Sequence, residues 1–287
     1  VRIQKLASTD AFVAWDLDGA ERFVGIARLA PKILVEGAQM LARSVTYSFA
    51  AFGVRAAGAS AGINAKPEGR DEAVAEFVSE IEPEARAGRL LLRAGSGLRD
   101  EDLAPLTRAE YASLADDELV AHSAVAAAEA ALGALAGKSV TICGQGPVAD
   151  AAAIALSDKG ATVEEGSLDA TADAVFVAGK PGWIDHEVAA GIRAAWIVPL
   201  SPVPLTAKAY ATVRRAGVAY LPDFVTLAAP LLAACDGASS TEPVERVREV
   251  TAAIAPHGPD AWLVAAGLSE AFLGTWQDTL PFGRPLW

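Results

Sequence analysis

The order of apolar and polar positions divides the chain into two stretches of different rhythm. In the first, AFVAWDLDGAERFVGIARL reads as two short strands, Phe12–Asp16 and Arg22–Leu29, joined through the turn-forming pair Asp18-Gly19 as a β-hairpin. Leu34, Ala38, Leu41, Ala42 and Val45 then recur at helical spacing. They predict a helix over Val35–Phe49, which runs into the small, glycine-rich stretch Gly53–Gly62. An acidic amphipathic helix over Asp71–Arg86 and a short apolar strand over Arg89–Leu92 complete an α+β unit. After the polar stretch Arg99–Asp117, an Ala-rich helix is predicted from Asp117 to Leu135, with Gly137 as its C-terminal cap.

From Ser139 the rhythm changes. SVTIC, GQGPVA, DAAAIALSDKG and ATVEE follow one another as strand, glycine-rich turn, helix and strand, and further strands are predicted at Ala174–Ala178, Ala195–Pro199 and Ala219–Leu221. Alternation of this kind predicts a parallel sheet with helices on its faces. Two helices, Val244–Ile254 and Asp260–Thr275, end the pattern. The fold class is therefore read as α/β. An N-terminal α+β, substrate-type domain spans residues 1–120 and takes back the C-terminal helix at 260–287. A trimmed Rossmann-like, doubly wound parallel-sheet domain spans 121–259. A length of 287 residues, 52% of them hydrophobic, suffices for two such cores.

Charge narrows the partners. A formal charge of -12 argues against nucleic acid, which needs clustered Lys and Arg to displace counterions, and leaves small molecules, nucleotides or proteins. The apolar stretches are Ala-rich and interrupted by Glu, Lys or Pro within about 18 residues, too short to span a membrane. Cys143 and Cys235 lie far apart, and no charged-then-apolar leader is present, so a cytoplasmic protein without disulfides is expected.

The candidate chemistry centres on the turn after SVTIC. Gly144, Gly146 and Ala149 stand where a dinucleotide-binding turn has its three small residues. The first permits the tight turn, the second lets a pyrophosphate approach the backbone, and the third allows close helix packing. Pro147 and Val148 open the helix, and Pro147 removes one phosphate donor. Glu164 or Glu165 stands about 20 residues on, where a ribose-binding carboxylate belongs; the other reading is that both end a strand in solvent. Gly166–Thr171 then leaves only about six residues before the next strand, whereas a parallel crossover needs roughly a dozen. Either these strands are differently arranged or the unit covering the adenosine side is lost. His122-Ser123 is read as preceding a helix that Ser123 caps, and His186 and His257 stand alone. Neither cysteine has metal-ligand spacing to another Cys or His, so no metal site is expected.

Four segments together carry a resemblance: QMLARSVTYSFAAFGVRAAGASAGI, GRLLLRAGSGLRDEDL, KSVTICGQGPVADAAAIALSDKGA and GVAYLPDFVTLAAPL. They resemble the Glu/Leu/Phe/Val dehydrogenase family, in the layout of its leucine and phenylalanine branch, with YLPDF and GQGPVA as the most specific matches. The resemblance implies a substrate domain and a dinucleotide domain closing on a cleft, an NAD or NADP cofactor, and oxidative deamination of an amino acid. It also implies a homo-oligomer, or a hetero-oligomer with an active paralogue.

By the same resemblance, the family's substrate-carboxylate Lys falls on Ser48, its catalytic Lys on Ser60, its catalytic Asp on Gly95 and its cofactor-side Asn on Leu227. Asp100 or Asp102 replaces that Asp only through a gap, and both belong to a charged run of the kind that is usually solvated. Ser123 stands where the family has a Thr on the cofactor side. Tyr47 and Asp223 survive, read as a core tyrosine and a turn or cap. Arg55, Asn64, Lys66 and Arg93 are read either as lining a remodelled cleft or as surface. Deamination is expected to be lost in favour of a regulatory, assembly or changed role. The alternative is an active oxidoreductase with Ser48, Ser60 and Arg93 in a rebuilt pocket. Trp262 and Trp276 in the last helix either pack back on the first domain or anchor a subunit interface.

Overall fold

The computed structural model describes residues 1–106, 116–236, 241–280 and 283–287. Five strands form the first sheet: β1 (Arg2–Lys5), β2 (Ala11–Trp15), β3 (Phe23–Ala30), β4 (Ala57–Asn64) and β5 (Leu90–Ala94). Their order is β1-β2-β4-β3-β5, with β3, β4 and β5 mutually parallel and β2 antiparallel to β4. The expected hairpin is thus corrected, because β4 lies between β2 and β3. The reason lies in the glycine-rich stretch, which is the central strand rather than a loop. A Cβ on Gly25 would sit 1.7 Å from the Ala59 carbonyl oxygen, and one on Gly58 1.8 Å from that of Ala42 in helix α1 (Val35–Ala51). Small residues let strand and helix approach that closely, and the join is completed by Gly58 N donating to Thr46 Oγ1 at 2.9 Å.

Helix α2 (Arg70–Arg86) covers the other face of this sheet, burying Phe77 and Ile81 in the core that holds Ile63, Leu90 and Leu92. Its first residue, Arg70, pairs with Asp102, which also accepts from Arg99 N at 2.7 Å. Arg70 is the main cause that pulls the Asp102 carboxyl down to about 2. The rest of the run Arg99–Asp117 lies partly outside the described residues.

The second sheet contains β6 (Ser139–Gly144), β7 (Thr162–Glu165), β8 (Ala174–Ala178), β9 (Trp196–Pro199) and β10 (Ala219–Tyr220), all parallel, in the order β10-β9-β8-β6-β7. Helices α3 (Asp117–Leu132), α4 (Pro147–Asp158), α5 (His186–Gly191) and α6 (Ala207–Arg215) accompany it. Four more follow: α7 (Asp223–Thr226), α8 (Ala229–Asp236), α9 (Thr241–Ile254) and α10 (Ala261–Leu273). Two expectations are corrected in α3. Its N-cap is Asp116, which accepts from Leu119 N at 2.9 Å, so Ser123 is interior to the helix; and it stops at Gly133, with φ +79°, rather than at Gly137.

The crossover after β7 also differs from expectation. β7 and β8 flank β6 on opposite sides, joined by a segment with no helix that turns at Ser167–Ala170, where Ala170 N donates to Ser167 O at 3.2 Å. Gly166 N donates to Ile142 O at one end of β6 and Asp173 N to Ser139 O at the other, so the segment runs the length of the strand, with Leu168 buried beneath it. The distance is short enough. From Ile142 back to Ser139 the strand rises only about 10 Å, within reach of a segment of this length even with a turn in it.

One core runs through both halves. α10 packs on α1, with Tyr47 OH donating to Glu270 Oε1 at 3.0 Å, and Tyr47, Phe224 and Trp262 stack edge to face across the join. Asp223, 1% exposed, accepts from Ser44 Oγ of α1 at 2.7 Å and, within its own half, from Val203 N at 3.0 Å and Tyr220 OH at 3.3 Å. Val203 is held at φ +52°, a conformation that costs on the order of 1–3 kcal/mol for a residue with a side chain. At the far end Trp287 joins the β8–β9 side, its N donating to Leu205 O at 3.1 Å. Its indole meets Gly37 of α1 and Gly182, where added Cβ atoms would lie 2.7 and 2.5 Å from the ring.

Gly58→Ala is expected to lower stability by about 3 kcal/mol or more, since the obstruction is backbone; denaturant unfolding measures it. Asp102 provides a pH test. Its carboxyl lies below the ordinary value when folded, so its contribution is present above about pH 4. It is lost as pH falls toward 2, and Asp102→Asn should flatten that limb of the stability profile.

Candidate functional site

Two clefts lie along the second sheet. The larger, about 910 Å³, opens at the C-terminal ends of β6 and β7 and is bordered by Gly144, Gln145, Glu165, Asp169, Trp183 and Glu187. Gly144 has φ +108°, and a Cβ there would lie 1.8 Å from the Ala178 carbonyl oxygen, so its bare backbone lets the ends of β6 and β8 meet. Gly146 has φ +120°, yet a Cβ would meet nothing within 4 Å. Its backbone is therefore open to approach. Pro147 begins α4, and Ala149 is buried beneath it. Glu165 is the last residue of β7 and borders the opening. The Ser167 hydroxyl is the main cause holding the Asp169 carboxyl below its usual range, which keeps it ionised. Burial pushes the Cys143 thiol up to about 11, so it is not a ready nucleophile.

The smaller cleft, about 110 Å³, lies between α1, the β3–β5 face and the second half. Ser44, Ser48, Arg93 and Asp223 are its polar lining, among apolar groups that include Val148 and Leu227. Ligand pockets commonly occupy about 300–1,000 Å³, so this one is nearly filled. Ser48 Oγ donates to the Ser44 carbonyl at 3.2 Å. Ser60 lies directly across from Ile26 in the sheet, fully buried, with an Oγ that has no partner. A Cβ on Gly95 would come 2.5 Å from Ile26 Cδ1. Burial raises the Asp223 pKa, against the pull of its three donors, and burial lowers that of Arg93.

The sequence candidates are thus separated. Gly144 and Glu165 meet at the large cleft, while Val148 faces the small one. Ser123 is fully buried in α3 with an unpartnered Oγ and borders neither. Of the four polar candidates, Arg93 alone borders the small cleft. Arg55 and Lys66 are exposed, and Asn64 is bonded to Asp10 and to Ile33 N. Tyr47 is a buried tyrosine whose pKa is raised chiefly by burial, and Asp223 is a buried hub rather than a cap. His122, His186 and His257 are exposed, and among the described residues no group of three metal-ligating side chains gathers. Sequence reasoning missed Gln145, Asp169, Trp183 and Glu187, which only the sheet order brings together. It also missed Arg28, the one charged residue of the apolar strand FVGIARLA.

No protein-family profile matches the sequence, and no curated protein matches it. Solved structures do. L-tryptophan dehydrogenase from Nostoc punctiforme is 17% identical, with 96% of each chain covered and a TM-score of 0.72. The hetero-hexameric glutamate dehydrogenase from Thermus thermophilus, in its Leu-bound form, is 17% identical over 91% of this chain and 84% of that one, with a TM-score of 0.72. A further glutamate dehydrogenase is 13% identical over 94% and 82%, with a TM-score of 0.76. The chain therefore has an amino-acid-dehydrogenase-like fold, a mixed α/β architecture with a Rossmann-like parallel sheet.

Proposed function

We propose that this protein binds NAD at the β6–α4 turn and does not carry out oxidative deamination of amino acids, serving as a nucleotide-responsive regulatory or assembly component. The contrast between the clefts carries the reading: about 910 Å³ stays open beside Gly144, and about 110 Å³ remains beside Ser48. Deamination needs a cation for the substrate carboxylate, a base to activate water, and a group to shuttle the proton. Serines at 48 and 60 and glycine at 95 supply none of these. Asp223 is the one carboxylate bordering the small cleft, and it is engaged by three donors.

The larger cleft fits a dinucleotide. Gly146 offers open backbone, the amide of Val148 lies in the first turn of α4, and Glu165 stands at the strand end suited to a ribose. When bound, the nicotinamide would supply a hydride acceptor. Glu165, Asp169 and Glu187 border this cleft and, among the described residues, no Lys or Arg does, which disfavours an added 2′-phosphate. A second reading, an assembly partner of an active paralogue, draws support from the hetero-hexameric enzyme among the similar structures.

Millimolar NAD is expected to raise the melting temperature, with a stabilisation of about 2.7 kcal/mol at a hundred times Kd, and NADP to bind at least about tenfold more weakly. Glu165→Gln should narrow that preference. An amino-acid panel with either cofactor should show no turnover; rates in the ordinary range of about 1–1,000 per second would sink the proposal.

A further inference from the structure

Val24, Ile26 and Arg28 alternate onto the face of β3 that meets α1 and the small cleft. Ile26 lies directly across from Arg93, so Arg28 and Arg93 occupy consecutive rows of one face. The Nε and Nη2 atoms of Arg28 are shut away from solvent without a hydrogen-bond partner, and Arg28 has no ion pair among the described residues. Burial is the cause that lowers its pKa, with no carboxylate among the described residues acting on it.

Arg28 is half-buried, and leaving two of its nitrogens shut away without a partner opposes folding, so an apolar side chain would serve the strand better. Such a group calls for a role other than packing. The neighbouring strand offers no counter-charge. Gly95 N donates to Ala27 O at 2.8 Å, which sets Gly95 beside Arg28, and glycine brings no side chain.

We propose that Arg28, with Arg93 one row away, forms an oxyanion-binding subsite at the end of β3 and β5 that takes the carboxylate or phosphate group of a small ligand. A guanidinium presents parallel N–H donors whose spacing matches two oxygens of either group, and its charge strengthens both bonds. Of the two arginines Arg93 borders the small cleft, and its dimensions restrict the ligand to a few heavy atoms beyond that group. The subsite is independent of nucleotide binding, since it lies on the first sheet rather than at the β6–α4 turn.

The test uses the full chain at constant ionic strength, with acetate, malonate and inorganic phosphate as probes and chloride as the reference anion, followed by melting temperature and calorimetry. At least one probe should bind and raise the melting temperature. A response to the carboxylates alone identifies a carboxylate subsite, and a response to phosphate alone a phosphate subsite. Arg28→Gln should weaken that binding at least about tenfold, the loss expected for a charged hydrogen bond. Arg28→Lys should restore only part of it. The probe-free protein carrying Arg28→Met should melt at the same or a higher temperature, whereas a structural arginine would give a lower one. Absence of binding by all three anions, binding unchanged by Arg28→Gln, or marked destabilisation by Arg28→Met would each overturn the proposal.

Discussion

The buried carboxylate of Asp223 fixes how the halves of this molecule meet. It is held by one hydroxyl from α1, one from β10 and one backbone amide from the Leu200–Leu205 connection. A carboxylate taken out of water has to be surrounded by donors, and these can be supplied together only if α1 lies against the second sheet. The strained backbone at Val203 follows from the same demand, because that residue's amide is one of the donors. The aromatic stack of Tyr47, Phe224 and Trp262 then fills the space around the join, and the Trp287 indole repeats the connection at its other end. A polar tie enclosed by apolar packing resists opening, since parting the halves exposes the apolar surface and deprives Asp223 of the Ser44 hydroxyl.

The large cleft owes its form to a different constraint. Strand β7 is the edge of its sheet, and the segment that leaves it crosses β6 without a helix, turning at Ser167–Ala170. That segment and α5 become the far wall, bringing Asp169 and Glu187 opposite Gly144. The acidic lining is therefore a product of the short connection, which places loop residues where a longer crossover would place a helix.

How legible this was depends on what each residue signals. The inner strands β8 and β9 are continuous apolar runs because both faces are covered, and Ala174–Ala178 is readable residue for residue. β4 was read as a small, glycine-rich stretch because AGASAGIN carries little hydrophobic signal; its central place rests on close approach, a property of three dimensions. The hairpin was misread for the same reason, since nothing in Asp16–Arg22 announces a strand inserted from 40 residues later. β1 is polar and sits at an edge, so it left no apolar pattern. Asp223 is visible in YLPDF as a residue type, but its three partners lie as far apart in the chain as Ser44 and Tyr220. Ser123 is expected as the cap of a helix but lies inside one, because the true cap, Asp116, lies in the polar run that precedes α3.

Under the proposed reading, the small side chains at 48, 60 and 95 and the closeness of the halves are one fact. A lysine in a cleft needs water or a carboxylate to remain charged, and either requires space. With Ser60 fully buried and Ile26 filling the place of a side chain at Gly95, neither position has room for a lysine or an aspartate with its solvent. Restoring one charged side chain would therefore not restore the chemistry, because the new group would be buried without solvent or partner and would shift toward its neutral form. Reopening the cleft first requires undoing the Ser44–Asp223 tie, whose loss leaves a buried acceptor short of a donor. Each change is unfavourable without the other, so the closed arrangement is self-consistent in a way that no single substitution reverses.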